Sequence, residues 1–374
     1  MQVPFNRPLV IGTEQENVSD AISSGHTSAN GTYTQRCCTM LEDMGYQKAL
    51  LTTSCTAALE MAALLLDIGP GDEIIIPSYA FVTTANAFAT KGATIVFADS
   101  LTDHPNVDSA NLERLVTPKT KAIVALHYGG VSCDMGAIMQ TAEKHGIAVI
   151  EDNAQGIGSK YLSKPLGSIG DFGAVSFHDS KNVHCGEGGA IFINRESGNE
   201  RADVVWDKGT NRKAFQNGKV NQYGWVDLGS SYYPSELNAA FLAAQLKELE
   251  KVNSERKNLW DKYHSELEPL EKQGVLKRPN VPAYATHNAH IYYLETKNKA
   301  ERDNLIEWLK KQGVGSAFHF QSLHKSPYFK NQYNGPQLPN SDRFSDTLVR
   351  LPLYFDLGEK QELVIEKVLA YYQQ

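Results

Sequence analysis

The stretch KALLTTSCTAALEMAALLLD, residues 48–67, carries the pattern that decides the fold. Its residues 49–51 form a short apolar run, and its residues 56–67 are rich in strong helix formers. The same alternation of apolar runs and helical patterns continues to residue 194, which predicts strands joined by helices. The predicted strands are residues 49–51, 74–76, 94–97, 122–126, 148–150 and 190–193.

Several of these runs are apolar throughout and do not alternate with polar residues. Strands of that kind bury both faces, as in a parallel sheet covered by helices on each side. The sequence therefore predicts a three-layer α/β domain whose parallel strands are joined by crossover helices, one of them at residues 135–145.

The pattern changes after residue 234. Residues 235–267 predict one long or broken helix, because Ser235 suits a helix start and Leu242, Leu246 and Leu249 form an apolar stripe. A predicted strand at residues 290–294 and predicted helices at 304–312 and 359–372 indicate a smaller α+β region. We expect a large domain with an N-terminal arm at residues 1–245 and a small domain at residues 246–374.

Composition and charge exclude several classes of protein. The chain is 41% hydrophobic with a formal net charge of -7 and no long block of like charge, so it offers nucleic acid no basic surface. No apolar stretch approaches the length of a membrane span, and residues 1–5 lack the features of a secretory leader. Five scattered cysteines favour reduced thiols. We expect a cytoplasmic protein that binds neither nucleic acid nor membrane.

Four local signals mark candidate functional residues. Residues 52–58, TTSCTAA, combine small hydroxyl side chains with a predicted helix start, where free N–H groups favour a phosphate. Asp152 ends a buried strand, at the edge where α/β sheets place ligands. Lys181 lies among short polar residues, and Phe81 closely follows another strand. Each signal also has an ordinary explanation: a helix cap, a turn, a surface lysine or a packed ring.

Together the signals match what pyridoxal phosphate (PLP) requires: a phosphate cradle, an aromatic face, an acid for the pyridine nitrogen and a lysine for a Schiff base. At this point the chain resembles the nucleotide-sugar aminotransferases of the DegT/DnrJ/EryC1/StrS family. The motifs that carry the resemblance are SCTA at residues 54–57, PSYAF at 77–81, EDNAQ at 151–155 and SFHDSKN at 176–182.

The resemblance implies an aspartate aminotransferase-like fold (fold type I), PLP as cofactor, and a homodimer with the active site at the subunit interface. It implies that Lys181 forms the Schiff base and that Asp152 pairs with the pyridine nitrogen. Phe81 would stack on the cofactor ring and Gln155 would approach its phenolic oxygen. The implied phosphate contacts are Ser54, Cys55, Thr56, Ser176 and, in place of a partner-subunit asparagine found in many relatives, Ser231.

Within the family the chain resembles the subfamily of dTDP-4-amino-4,6-dideoxygalactose transaminases, through the motifs PFN at residues 4–6, DKGTNR at 207–212 and HNAH at 287–290. That resemblance implies transfer of an amino group from L-glutamate to C4 of dTDP-4-keto-6-deoxyglucose for O-antigen or other surface polysaccharide. Lys208 and Arg212 would bind the nucleotide diphosphate, although exposed salt bridges explain them equally well. His319 and His324 would line the sugar side, or be ordinary hydrogen-bonded histidines.

Other functions stay open from the sequence. A C3 aminotransferase, a sugar 3-dehydratase and a non-catalytic nucleotide-sugar-binding paralogue would share the fold. Lys181 argues against the dehydratase, whose relatives replace the lysine by histidine. A glycine-rich dinucleotide fingerprint is absent. We predict no metal, because the two candidate zinc sets lack paired ligand spacing. Those sets are His178, His184, Cys185 and Glu187, and His127, Cys133 and Asp134.

Overall fold

The computed structural model describes residues 2–195 and 199–373. No helix in these two ranges has the length and apolar character needed to cross a membrane. The strands are β1 (Ala49–Thr52), β2 (Glu73–Pro77), β3 (Thr94–Ala98), β4 (Thr120–Leu126), β5 (Ala148–Asp152), β6 (Lys160–Tyr161), β7 (Lys164–Pro165), β8 (Phe172–Ser176), β9 (Gly189–Ile193), β10 (Tyr292–Glu295) and β11 (Leu348–Leu351). The α-helices are α1 (Glu14–Ser23), α2 (Thr32–Asp43), α3 (Cys55–Leu65), α4 (Val82–Ala89), α5 (Met135–His145), α6 (Asn199–Trp206), α7 (Arg212–Gln216), α8 (Glu236–Lys247), α9 (Leu249–Glu266), α10 (Glu268–Lys272), α11 (Lys299–Lys311), α12 (Pro339–Thr347) and α13 (Lys360–Tyr372).

Seven strands form the central sheet in the order β1-β9-β8-β5-β4-β2-β3. The pairs from β8 to β3 along this order are parallel, as the sequence predicts. The prediction is wrong for β9, which runs antiparallel to both β1 and β8. The reason is that residues 177–188 join β8 to β9 as a loop without a crossover helix, so the chain turns back on itself.

The sequence pattern does not predict β8, because its apolar run is short and contains Gly173. The structure shows why a glycine lies there. A Cβ atom at residue 173 would lie 2.2 Å from the carbonyl oxygen of Gly167. All five residues of β8 are buried, so neither the strand at residue 173 nor the backbone of Gly167 has space to move away.

Alternate residues of β4 show that the sheet is the middle of three layers. Ala122 and Val124 pack in the same core cluster as residues of α3 and α4. Ile123 and Ala125 point the other way and pack with residues of α5. At the β1 end of that second face, α1, α2 and α8 complete the cover. The predicted three-layer α/β architecture is confirmed.

The C-terminal part has its own apolar core around the β10–β11 pair. The predicted long helix is two helices, α8 and α9, which meet at Glu248, and Ser235 caps the first by accepting from the N–H of Asn238. Helix α9 belongs to both cores, because Leu249 packs with the large domain and Trp260 with the small one. A domain boundary at residue 245 remains our proposal. Val3 packs in the small core, so the N-terminal arm reaches that domain.

We expect Gly173→Ala to lower the free energy of unfolding by roughly 3 kcal/mol, because the new methyl group overlaps backbone atoms that cannot move. Thermal denaturation measures the effect. Gly69→Ala is the matched control, since a Cβ at Gly69 meets no atom within 4 Å and should leave the melting temperature near that of the wild type. Equal melting temperatures for the two variants would contradict the packing argument.

Candidate active site

A cavity of about 620 Å³ lies at the carboxyl ends of the central strands, with the small domain forming its other wall. Most of the residues that the sequence singled out line this cavity together. They are Ser54, Cys55, Thr56, Phe81, Asp152, Gln155, Ser176, Lys181 and His319. Four others, Lys208, Arg212, Ser231 and His324, do not line it.

One end of the cavity is the N-terminus of α3. Ser54 caps this helix by accepting from the N–H of Ala57 (3.0 Å), which leaves its own hydroxyl hydrogen free to donate. Thr56 in the first turn and Ser176 at the end of β8 add two hydroxyl groups. A helix start with hydroxyl donors around it is suited to an anion such as a phosphate.

Asp152 lies buried at the end of β5. One carboxylate oxygen accepts a hydrogen bond from Thr84 Oγ1 at 2.7 Å, and the other accepts from the N–H of Ala154 at 3.2 Å. Burial raises the pKa of the carboxyl group, while the two hydrogen bonds and the nearby Lys181 oppose that rise. A cation close to Asp152 would therefore further favour the ionised form of the carboxyl group over the protonated form.

Lys181 lies on the loop between β8 and β9. Its backbone N–H donates to the carbonyl of His178 at 2.9 Å. Burial lowers the pKa of its side-chain amine, and the neighbouring Arg350 acts in the same direction. Cys55 and Asp152 partly offset this lowering. A lysine whose pKa is lowered holds more of the neutral amine at neutral pH, which is the nucleophilic form.

Two further side chains of the cavity have groups free to contact a ligand. Phe81 lies at the start of α4 with 54% of its surface exposed, so its ring is free to cover a flat ligand. The side-chain oxygen of Gln155 accepts from the N–H of Gly129 at 2.7 Å. This bond directs the amide oxygen away and leaves the NH₂ group to donate elsewhere.

The structure adds cavity residues that the sequence analysis missed. Thr84, His290, Phe320 and Arg350 line the same cavity. Thr84 and Phe320 carry no distinctive local pattern. Arg350 could have been found, because it is a charged residue inside the apolar run LVRLPL, residues 348–353, where an arginine needs a special reason.

Lys208, Arg212 and Ser231 lie together on another part of the surface. Asp207 pairs with Lys208 at 3.4 Å and with Arg212 at 3.7 Å, and it bridges to Ser231 through the backbone. Ser231 is exposed. Within one chain these residues therefore form a surface cluster apart from the cavity.

The two candidate histidines of the small domain differ. His319 lines the cavity and bonds through Nδ1 to the hydroxyl of Tyr128 at 2.6 Å, and burial lowers its pKa well below the usual value. His324, expected on the sugar side, does not line the cavity. It is buried between Ser78, 2.7 Å from its Nδ1, and Asp342, 3.6 Å from its Nε2.

Two histidines of the alternative zinc sets already use both ring nitrogens within the protein. His184 contacts the carbonyl of Leu9 at 2.7 Å and accepts from the N–H of Gly186 at 3.2 Å. His127 contacts Glu151 at 2.8 Å and accepts from the N–H of Cys133 at 3.1 Å. No ring nitrogen of His184 or His127 is left to bind a metal. Lys181 and His178 line the cavity, and His184 does not.

Comparison with known families agrees with this geometry. The sequence model of the DegT/DnrJ/EryC1/StrS aminotransferase family matches residues 9–369. The chain belongs to this family.

Solved structures of similar fold extend the result. DesV from S. venezuelae, solved in complex with a ketimine intermediate, is 27% identical with a TM-score of 0.90 over 100% of this chain and 99% of that one. TlmJ from Streptoalloteichus hindustanus is 26% identical, with a TM-score of 0.91 over 99% and 98% of the two chains. Spr1654 from Streptococcus pneumoniae, described as a sugar aminotransferase, is 25% identical in its PLP form, with a TM-score of 0.91 over 100% and 99%.

This member of the DegT/DnrJ/EryC1/StrS family is a PLP-dependent aminotransferase with the expected fold. The cavity fits the cofactor, since it joins an amine, a carboxylate, an exposed ring and a helix start with hydroxyl donors. Gly189 shows how closely the cradle is built, because a Cβ there would lie 2.5 Å from the backbone nitrogen of Cys55.

We expect Lys181→Ala to abolish covalent attachment of the cofactor, because the chain offers that cavity one lysine among its lining residues. Borohydride reduction followed by peptide mapping should place the cofactor on residue 181 in the wild type and on no residue in the variant. Lys160→Ala, an exposed lysine in β6, is the control and should retain the label. A label on any other lysine would refute the assignment.

Proposed function

We propose that this aminotransferase transfers an amino group from L-glutamate to C4 of dTDP-4-keto-6-deoxyglucose, giving a dTDP-4-amino-4,6-dideoxyhexose for surface polysaccharide such as O-antigen. The observation that carries the proposal is that Lys181 and Asp152 line one cavity with the helix start at Ser54. The choice of sugar is supported by the resemblance of the motifs at residues 4–6, 207–212 and 287–290.

When bound, PLP supplies an electron sink for the carbon that carries the transferred amine. We assign the phosphate to the N-terminus of α3, with Ser54, Cys55, Thr56 and Ser176 around it. Phe81 would cover one face of the ring, and the free NH₂ group of Gln155 would donate to its phenolic oxygen.

Lys181 moves the proton in this scheme. With the cofactor bound, its free amine would remove a proton from the donor carbon that carries the amino group, and in the second half-reaction the same amine would give a proton back to the carbon of the acceptor. The lowered pKa suits both tasks, because the neutral amine accepts the proton and the resulting ammonium gives it up readily. Lys181 therefore serves both half-reactions.

Asp152 holds a proton on the pyridine nitrogen. Its carboxylate is fixed in place by Thr84 and the N–H of Ala154 before any ligand arrives, so no reorganisation is needed when charge develops. Burial raises the pKa of the acid, and a positively charged nitrogen would add to Thr84, Ala154 and Lys181 in favouring its ionised form.

We further propose that a second copy of the chain completes the site. Near Lys208, Arg212 and Ser231 the same surface segment exposes large apolar side chains, which a monomer would leave in water. A homodimer that buries them would bring the surface cluster around Asp207 to the partner's cavity. Lys208 and Arg212 of that cluster would then bind the nucleotide diphosphate. The exposed side chains are Phe215, Tyr223, Trp225, Val226 and Leu228.

We propose the cytoplasm as the place of this reaction. The five cysteines are all free, and four of them are buried. Unpaired thiols accord with a reducing compartment.

Incubation with PLP, L-glutamate and dTDP-4-keto-6-deoxyglucose should give a sugar with the amine at C4, identified by NMR of the purified product. An amine at C3 would replace the proposal by the C3 alternative. Absence of product together with unchanged ligand binding in Lys181→Ala would favour the non-catalytic paralogue.

Mixing two inactive variants tests the shared site. We expect Lys181→Ala and the double variant Lys208→Ala/Arg212→Ala each to lose most activity. After the subunits are exchanged, activity should return to about a quarter of the wild type, since half of randomly paired dimers are mixed and each of these keeps one intact site. Sedimentation confirms the dimer. No recovery from mixed dimers, or a fully active monomer, would refute the proposal.

A further inference from the structure

The N-terminal arm contributes two residues to the cavity, Phe5 and Asn6, and no cofactor contact requires either of them. We call residues 3–9 the strap. At its first end Val3 packs in the small-domain core, and its N–H donates to the carbonyl of Gly313 at 3.1 Å. The strap is therefore attached to the small domain just before it reaches the cavity.

The second end of the strap is attached to the large domain. The carbonyl of Leu9 accepts from Nε2 of His184 at 2.7 Å and from the side-chain NH₂ of Gln245 at 3.1 Å. Nε2 is the donor, because Nδ1 of the same ring accepts from the N–H of Gly186. His184 lies on the β8–β9 loop, as Lys181 does. The strap therefore joins the small domain to the loop that carries Lys181.

Between its two ends the strap has little conformational freedom. Pro4 and Pro8 fix the backbone angle φ at two of its seven positions. The ring of Phe5 lies 4.8 Å from Cζ of Arg350, which is a cation–π contact. Asn6 follows Phe5 directly, so its position on the cavity wall is well defined.

The side-chain amide of Asn6 has unused hydrogen-bonding groups. In the described part of the chain it makes no hydrogen bond to another protein group. An amide offers two N–H donors and one acceptor oxygen. A ligand that presents donors and acceptors side by side, such as a pair of neighbouring hydroxyl groups, would use all of them.

Apolar side chains line the same cavity. Among them are Phe5, Phe320 and Leu353, and the Phe320 ring lies 6.2 Å from that of Phe81. A deoxyhexose combines hydroxyl groups with an apolar methyl group and apolar C–H faces. A wall of apolar side chains with one free amide therefore matches such a sugar.

We propose that Asn6 binds the C2 and C3 hydroxyl groups of the acceptor hexose and is a specificity-determining residue for the sugar. This inference rests on the proposed function, which supplies a hexose. It gives the strap the role of holding that amide between the small domain and the Lys181 loop.

Other parts of the two substrates suit Asn6 less well. The diphosphate and the donor's carboxylates are anions, which gain more from a charged partner than from a neutral amide. The nucleobase could pair with an amide, but the hexose, the diphosphate and the pentose separate it from the reacting carbon. Phe5, the neighbour of Asn6, contacts Arg350, which in turn lowers the pKa of Lys181. Asn6 is therefore close to the reacting amine, where the hexose must lie.

The two half-reactions separate a sugar contact from a general one. In stopped-flow experiments on the holoenzyme, we expect Asn6→Ala to lower the efficiency of the reaction with the dTDP-amino sugar by about 30-fold, because two hydrogen bonds are lost. The reaction of the same variant with L-glutamate should change by no more than about two-fold, since the donor has no hydroxyl group.

Sugar analogues identify the groups that Asn6 contacts. The wild type should react about 10-fold less efficiently with the 2-deoxy and the 3-deoxy analogue of the dTDP-amino sugar than with the parent compound. Asn6→Ala should react with all three sugars at similar efficiency, because the partner of the missing hydroxyl is already absent.

A matched variant controls for the substitution itself. Asn304→Ala removes an exposed asparagine of α11 outside the cavity and should behave as the wild type in every assay. Normal cofactor absorbance and melting temperature would show that Asn6→Ala is folded. If it fails this check, Asn6→Ser takes its place, since the shorter side chain stays polar and loses the same contacts.

Several results would overturn the inference. An equal loss in both half-reactions would assign Asn6 to structure. A full penalty for the deoxy analogues in Asn6→Ala would assign it to the nucleotide, and an unchanged reaction with the amino sugar would leave it without a role. Failure of the proposed function looks different, since the wild type would then react with L-glutamate and leave the dTDP-amino sugar unchanged.

Discussion

The active site depends on placing a lysine and a carboxylate out of water in the same cavity. Burial alone drives each toward its neutral form, lowering the pKa of Lys181 and raising that of Asp152. Each residue partly opposes the shift of the other. Opposed pKa shifts of this kind in a buried cavity are typical of functional sites.

The fold serves this balance by bringing together elements from distant parts of the sequence. Asp152 ends a strand of the central sheet, Lys181 lies on a loop between two strands, and helix α3 follows the edge strand β1. The carboxyl ends of parallel strands meet at one edge, so these residues converge without any long excursion of the chain. The small domain then covers the opening and adds uncharged histidines and one arginine.

Much of this arrangement follows from local sequence. Fully apolar strands predict the buried sheet, and hydroxyl groups before a helix predict the cradle at Ser54. The direction of β9 could not be predicted, because it depends on whether residues 177–188 form a helix or a loop. Local sequence also does not predict where three other candidates, Lys208, Arg212 and Ser231, lie relative to the cavity. Their positions depend on how the chain, or a second copy of it, packs around the site. His324 shows the same limit, as its burial between Ser78 and Asp342 arises from contacts far apart in the sequence.

Gly189 joins the packing of the sheet to the start of α3, where the cavity ends. It is the first residue of β9, and it lies close to the backbone of Ser54 and Cys55. Even a methyl group at residue 189 would push the strand away from these two residues. Any side chain at residue 189 would therefore disturb the strand and the start of α3 together.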